Sequence, residues 1–184
     1  MSWTMQLSDF LDFDSIKTAL PGGSKKALLQ QLANLAGQRL EIDSTTILSS
    51  LSEREQLGST GFGHGVAIPH GKIEGLKRIY SLFARLAEPL DYKAIDNRPV
   101  DLVFLLLSPP DAGAEHLKAL AAISRVTRHA ATLEKMRGAR SRDALTAVVM
   151  GADERDAARA SDFWPMSRLL ASFGAPRLPV ISRQ

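Results

Sequence analysis

Hydrophobic residues recur every three or four positions in several segments of the chain, which is the spacing of an amphipathic helix. The first such segment runs from Leu28 to Ala36, and Ser24 precedes it as a candidate N-cap. A second pattern starts near Asp43 and stops at Gly58, a residue type that favours helix ends. Three more helices are predicted, over Ala114–His129, around Ala131–Arg137 and over Ser141–Met150, the last with Ser141 as its cap.

Two apolar runs predict β-strands between these helices. Ile79–Leu86 has the composition of a strand, and Val100–Leu107 is apolar enough for a strand that is buried on both faces. Pro109 and Pro110 end the second run, because proline cannot donate to a strand ladder. Helices that alternate with strands in this way predict an α/β domain.

The pattern changes near Met150, so we predict one domain over residues 1–150 and an atypical tail over residues 151–184. Gly151–Asp162 is charged and rich in alanine, which is typical of a linker or a frayed helix. After it, four apolar residues at helical spacing predict a short amphipathic helix: Met166, Leu169, Leu170 and Phe173. This helix docks on its own domain or forms a contact in a homo-oligomer, and we expect the tail to be dispensable for the chemistry.

Composition narrows the class of protein. The chain has 184 residues, of which 45% are hydrophobic and 23% charged, as in soluble globular domains. Its net charge of +3 is too small and too dispersed to predict nucleic-acid binding. It contains no cysteine, which excludes disulfides, thiolate metal sites and cysteine nucleophiles. No apolar run approaches the roughly 20 residues of a membrane span, and the N-terminus lacks signal-peptide features, so we expect a cytoplasmic protein.

The glycine-rich segment in the middle of the chain holds the candidate reactive group. Residues 58–75 contain six glycines and two of the four histidines, which predicts mostly loop with one short strand at Val66–Ile68. Within it, Pro69 limits backbone freedom before His70, and Gly71 leaves the ring approachable. The imidazole is therefore expected to face a partner.

Residues upstream of this histidine suit an anion. The tetrapeptide Gly58-Ser59-Thr60-Gly61 offers hydroxyls and bare backbone N–H groups, and Arg54 adds planar cationic donors. A neutral imidazole has a lone pair that can carry a phosphoryl group. The residues alone leave two interpretations open: a phosphohistidine site, or a surface histidine in a glycine-rich loop, which is the commoner case.

The string LGSTGFGHGVAIPHGK resembles the active-site signature of phosphotransferase-system EIIA domains of the fructose/mannitol superfamily, and most of all their nitrogen-regulatory branch (EIIA-Ntr). The resemblance continues through RIYSLFARLAEPLDYKAIDNRPVDLVFLLLSP and AGAEHLKALAAISRVTR, and it covers roughly residues 5–150. It implies a mixed β-sheet flanked by helices on both faces. We expect no cofactor.

The resemblance also implies roles for individual residues. His70 matches the phosphoryl acceptor, Arg54 matches an arginine near the phosphoryl group, and His116 matches a second histidine beside the acceptor. We add Ser59 and Thr60 as candidate phosphate ligands because their hydroxyl and backbone N–H groups can donate hydrogen bonds. The implied donor is the phosphohistidine of a small phosphocarrier, NPr or HPr.

Two histidines depart from this picture. His64 stands where relatives of the nitrogen branch usually have a small polar residue. A metal site of His64, His70 and His116 is conceivable because three imidazoles bind zinc, but no carboxylate or thiolate is patterned with them, so we predict no metal. His129 is expected to be a solvated residue at a helix end.

Three functions remain open at this stage. The first is a regulatory phosphoacceptor whose phosphorylation state controls binding to targets, such as the potassium transport systems or kinases that the resemblance implies. The second is a sugar-transport component that passes the phosphoryl group to an EIIB domain. The third is a binding module with an inert histidine. The tetrapeptide at residues 58–61 and the segment GKIEGLKRI favour the first.

Overall fold

The computed structural model describes residues 4–162 of the chain. The amphipathic helix predicted over Met166–Phe173 lies outside these residues. Within the described range, no helix is long and apolar enough to cross a membrane.

Five α-helices and six strands make up this part of the chain. The helices are α1 (Lys25–Leu40), α2 (Ser44–Gln56), α3 (Gly113–Thr127), α4 (Ala130–Gly138) and α5 (Arg142–Asp162). The strands are β1 (Lys17–Leu20), β2 (Gly61–Gly63), β3 (Val66–Ala67), β4 (His70–Lys72), β5 (Tyr80–Leu90) and β6 (Val100–Ser108). Two short 3₁₀ helices, Leu7–Asp9 and Phe13–Ser15, precede β1.

All six strands form one mixed sheet in the order β1-β5-β6-β3-β2. The long antiparallel pair β5–β6 is at its centre, and β1 lies parallel to β5. Both β3 and β4 run parallel to the other edge of β6: β3 pairs with Leu102 and Val103, and β4 pairs with Leu106–Ser108. This register places His70 near the carboxyl end of the most buried strand.

Alternate residues of β6 contribute to two separate cores. Leu102, Phe104 and Leu106 pack in a cluster with residues of α3, α4 and α5. Val103, Leu105 and Leu107 pack in a second cluster with residues of α1 and α2. Because side chains alternate across a strand, this pattern requires helices on both faces of the sheet, and the predicted fold class is confirmed.

The predicted helix starts agree with the structure. The Ser24 hydroxyl accepts a hydrogen bond from the Ala27 N–H at 3.1 Å, and the Ser141 hydroxyl accepts one from the Ala144 N–H at 3.1 Å. The strands β1, β2 and β4 were not predicted, and the expected loop over residues 58–75 contains three short strands instead of one.

Of the two alternatives predicted for Gly151–Asp162, a linker or a frayed helix, the structure has a helix. Helix α5 continues through this segment, so a boundary near Met150 would fall inside a helix. The buried carboxylate of Asp153 accepts hydrogen bonds from the backbone N–H groups of Leu7 at 3.1 Å and Ser8 at 2.8 Å. These bonds attach the second half of α5 to the first 3₁₀ helix.

Candidate active site

His70 is the first residue of β4, and its ring is held from both sides. The Nδ1 atom lies 2.7 Å from the carbonyl oxygen of Ile68. Because a carbonyl can only accept, the proton of the neutral ring is on Nδ1, and Nε2 keeps a free lone pair. The Arg54 Nε–H donates to this Nε2 at 3.1 Å.

The surroundings of His70 favour its neutral form. Burial lowers the pKa of the ring below its ordinary value of 6.5, and the positive charge of Arg54 lowers it further. The hydrogen bond to Ile68 and the carboxylate of Glu55 act in the opposite direction without reversing the shift. The ring therefore presents a nucleophilic nitrogen at neutral pH.

Gly71 brings Arg54 to the histidine. A Cβ built on Gly71 would overlap the Ser50 hydroxyl and lie 3.1 Å from the Ser50 Cβ, so α2 packs directly against β4 at this point. The Ser50 hydroxyl also donates to the Lys72 carbonyl at 2.9 Å. We expected Gly71 to keep the ring approachable; its observed role is to let α2 come close.

His116 lies in the first turn of α3, where the sequence predicts it, and faces His70. The two ring centroids are 5.3 Å apart, and the rings are tilted by 52°. The Nδ1 atom of His116 lies 2.6 Å from the hydroxyl of Ser108. Burial lowers the pKa of His116 to about 4, and the neighbouring charges of Lys72 and Arg54 contribute. His116 is therefore also neutral at physiological pH.

The two histidines open into a surface cleft of about 560 Å³. Its lining comprises residues of α2, β4 and α3: Ser50, Glu53, Arg54, Leu57, His70, Gly71, Lys72 and His116. Leu57, at the end of α2, has 85% of its surface exposed. The cleft thus combines two neutral imidazoles, the cations Arg54 and Lys72, the carboxylate of Glu53 and one exposed apolar residue at its edge.

A second polar cluster lies beside the cleft and is centred on Glu55. Its carboxylate pairs with Lys25 Nζ at 2.7 Å and accepts from the Thr60 N–H at 3.0 Å and the Tyr92 hydroxyl at 3.2 Å. The Thr60 hydroxyl donates to it as well. Burial alone would raise the pKa of Glu55, but the hydrogen bonds from Lys25 and Thr60 outweigh it and hold the pKa below its ordinary value.

Because of this cluster, Ser59 and Thr60 do not present free donors to the cleft in the unphosphorylated protein. Thr60 is buried, and both its N–H and its hydroxyl are directed at the Glu55 carboxylate. The Ser59 hydroxyl accepts from the Gly61 N–H at 3.1 Å. Neither residue lines the cleft. The Thr60 donors that we expected to bind phosphate are bonded instead to the carboxylate of Glu55, five residues earlier in the chain.

His64 lies far from the other two histidines. Its carbonyl accepts from Arg137 at 2.7 Å, and Arg137 pairs with Asp101 at the start of β6. His70 pairs instead with Leu106. At about 3.3 Å per residue, this separates the two histidines by about 16 Å. A three-histidine metal site is thus incompatible with the fold.

Sequence reasoning missed three contacts of the site. The carbonyl of Ile68 has no signal in a sequence. Glu55 is adjacent to Arg54, and a carboxylate beside a predicted phosphate ligand could have indicated a competing partner. Ser108 is the single polar residue that ends the apolar run of β6, and that position was a usable signal.

Known proteins resemble this chain over most of its length. A family model described as phosphoenolpyruvate-dependent sugar phosphotransferase system, EIIA 2, matches residues 9–150. A nitrogen regulatory protein of Bradyrhizobium diazoefficiens is 45% identical over 145 residues, which cover 79% of this chain and 95% of that protein. A nitrogen regulatory protein of Pseudomonas aeruginosa is 44% identical over 132 residues, covering 71% of this chain and 86% of that protein.

A solved structure agrees with both sequences. The crystal structure of nitrogen regulatory protein IIA-Ntr from Neisseria meningitidis matches with a TM-score of 0.74 at 33% identity, covering 78% of this chain and 98% of that one. Family match, relatives and fold therefore agree that this chain belongs to the type 2 EIIA family of the phosphotransferase system, alongside nitrogen regulatory members.

Proposed function

We propose that this protein accepts a phosphoryl group on His70 Nε2 from the phosphohistidine of a small phosphocarrier, and that its phosphorylation state controls which target protein it binds. The observation that supports this most strongly is the fixed tautomer of His70. With Nδ1–H bound to the Ile68 carbonyl, the nitrogen next to Arg54 is the one with the lone pair.

Transfer needs little rearrangement in this geometry. The bond from phosphorus to the donor imidazole breaks as the bond to Nε2 forms, and the Nε2 lone pair becomes the new bonding pair. The Arg54 N–H that donates to Nε2 in the free protein then moves to a phosphoryl oxygen. Catalysis is mainly positioning and charge neutralisation, as is general for phosphoryl transfer.

Phosphorylation would also change the surface that a target meets. The unmodified cleft is cationic and ends at the exposed Leu57. A phosphoryl group adds about −1.5 to −2 charges and three strong acceptor oxygens. A target that binds the unmodified cleft through Leu57 would be repelled or displaced after transfer. Potassium transport systems and kinases are the candidate targets that the family resemblance suggests.

The test is phosphorylation with purified components. The protein is incubated with phosphoenolpyruvate and the upstream phosphotransfer proteins, with NPr or HPr as the carrier, and its intact mass is measured. We expect one phosphoryl group, labile in acid and stable in base, that is absent in His70→Ala. The matched control is His64→Asn, which changes a histidine of the same glycine-rich segment and should be labelled normally. Labelling of His70→Ala would overturn the assignment.

A further incubation separates regulation from sugar transport. If the phosphorylated protein donates its group rapidly to an EIIB domain of a fructose- or mannitol-type permease, the sugar-transport alternative is correct. An acid-stable label would instead point to Ser59 or Thr60. A protein that takes up no label at all would be a binding module with an inert histidine.

A further inference from the structure

We propose that Ser108 is a positioning residue for phosphoryl transfer: its hydroxyl holds His116 in the tautomer that presents an Nε2–H donor to the cleft. This inference rests on the proposed function for its effect on transfer. The tautomer itself is a property of the unphosphorylated protein and is measured separately.

The place of Ser108 in the fold makes its hydroxyl a fixed group. Ser108 is the last residue of β6, it is fully buried, and Pro109 follows it. Its backbone is held in the sheet opposite Lys72, and its carbonyl accepts from the Ile73 N–H at 2.9 Å. The hydroxyl lies 2.6 Å from His116 Nδ1. The imidazole is thus anchored to the sheet and not only to its own helix.

Counting donors decides the direction of this hydrogen bond. Within residues 4–162, the Ser108 hydroxyl has no hydrogen-bond partner other than His116. If His116 Nδ1–H donated to the hydroxyl, the hydroxyl proton would be buried without an acceptor, which is costly. If the hydroxyl donates to a bare Nδ1, that cost disappears. The neutral ring then carries its proton on Nε2.

The two histidines therefore have opposite tautomers, set by different partners. A backbone carbonyl that can only accept makes His70 protonated on Nδ1 and bare on Nε2. A buried hydroxyl that must donate makes His116 bare on Nδ1 and protonated on Nε2. With the ring centroids 5.3 Å apart, the cleft holds one nucleophilic nitrogen and one neutral donor for the oxygens of the incoming phosphoryl group.

A neutral donor suits this site for an electrostatic reason. The cleft already contains the cations Arg54 and Lys72, and both disfavour protonation of His116. An imidazolium there would be repelled by them, whereas an N–H dipole is not. The donor is therefore available without the protein binding an additional proton.

The variant that tests this is Ser108→Ala, and the chain offers a matched control. Ser81 on the neighbouring strand β5 is equally buried, pairs with Leu106 of β6, and has no hydrogen-bond partner for its hydroxyl within the described residues. Ser81→Ala therefore removes a hydroxyl from the same region of the sheet without touching His116. Ser108→Thr keeps the hydroxyl and is the conservative rescue.

The first readout is the nitrogen-15 NMR spectrum of the histidine side chains in the unphosphorylated protein at neutral pH. In the unsubstituted protein and in Ser81→Ala we expect His116 to be protonated on Nε2 and bare on Nδ1. In Ser108→Ala we expect a mixture of tautomers, and in Ser108→Thr a return to one. A His116 protonated on Nδ1 in the unsubstituted protein would overturn the proposal, even if no variant folds.

The second readout is the rate of phosphorylation by the carrier. Loss of one neutral hydrogen bond predicts a roughly two- to tenfold slower transfer in Ser108→Ala. Ser81→Ala should transfer at the unsubstituted rate. An unchanged rate in Ser108→Ala with a mixed tautomer would overturn the role in transfer. Absence of any label on unsubstituted His70 would overturn the proposed function instead, and it would leave the NMR result in place.

Discussion

Arg54 and Glu55 are neighbours at the end of α2, yet they belong to two clusters of opposite character. Arg54 contacts His70 in the open cleft, whose lining also includes His116, Lys72 and Glu53. Glu55 contacts Lys25, Thr60 and Tyr92 in a closed cluster, where its charge is paired and its oxygens are occupied. One helix end therefore places a cation that forms no ion pair within residues 4–162 beside an anion that does.

The difference shows how a site and a structural network are distinguished. In the Glu55 cluster, donors and acceptors match one another, so a ligand would have to break existing bonds. In the cleft, Arg54 and Lys72 form no ion pair with a carboxylate among the described residues. The His70 Nε2 lone pair accepts only the Arg54 N–H there, and that donor can move to a phosphoryl oxygen. A bound anion would complete the bonding of the cleft, whereas in the Glu55 cluster it would displace a carboxylate that is already bonded.

The largest effect is expected for Arg54→Ala. Loss of a charge-assisted contact to phosphate, worth roughly 1.5–3 kcal/mol, should slow phosphorylation by about tenfold to a hundredfold. The melting temperature should change little, because Arg54 is partly exposed and contacts only His70 and the Gly58 carbonyl among the described residues. Rates come from intact mass against time. Arg140→Ala, at an exposed position, is the control, and a parallel loss of stability would contradict the contrast.

Glu55→Gln is expected to reduce stability more than it reduces the rate of phosphorylation. An amide cannot accept all the bonds that the carboxylate accepts, and it leaves Lys25 without its partner. We expect a loss of about 1–3 kcal/mol in the free energy of unfolding, with a smaller effect on transfer than Arg54→Ala has. Urea titration measures this. Glu53→Gln, two residues earlier and exposed, should keep its stability; equal losses in both variants would count against a special role for the Glu55 cluster.

Gly71→Ala should slow phosphorylation by moving α2, and with it Arg54, away from His70. The added methyl group would press on Ser50 and displace the helix by a few tenths of an ångström, which shifts Arg54 relative to His70. Because small misplacements reduce transfer rates strongly, we expect about a tenfold slower reaction. The double variant with Ser50→Ala removes the hydroxyl that overlaps and should recover part of the rate. No recovery would show that the helix position is not what matters.

The smallest effect concerns the pH dependence of stability. Folded His116 has a pKa of about 4, lowered from 6.5, so between these values the unfolded chain binds a proton that the folded chain does not. Stability from this group is complete above about pH 6.5 and is lost as the pH falls towards 4. His116→Asn should therefore lose less stability than the unsubstituted protein between pH 7 and pH 4.5. Equal losses by urea titration would contradict the lowered pKa.

Elements with a long hydrophobic pattern were predictable from the sequence. The five helices and the two long strands depend on periodicity within each segment, and α1 and α5 each have a serine cap next to that pattern. The strands β1, β2 and β4 have only three or four residues each and exist because β5, β3 and β6 lie beside them. Local pattern carries no information about such pairing.

The site residues also divide into those that the sequence indicated and those that depend on the fold. His70, Arg54 and His116 were predicted by resemblance, and the structure brings them together. Ser59 and Thr60 lie outside the cleft, because composition shows which polar groups exist but not which neighbouring groups already bond them. Ser108 needed the fold, since its contact depends on where β6 ends relative to the first turn of α3.

The bonds from Asp153 to the backbone of Leu7 and Ser8 have a consequence for biosynthesis. They join positions 146 and 145 residues apart, so the first described turn is attached to the last described helix. A polypeptide is made from its N-terminus, and contacts this distant in sequence form late. The N–H of Leu7 therefore cannot reach its acceptor in the folded protein until Asp153 has left the ribosome. A nascent chain arrested before that residue would lack the attachment of this turn to α5.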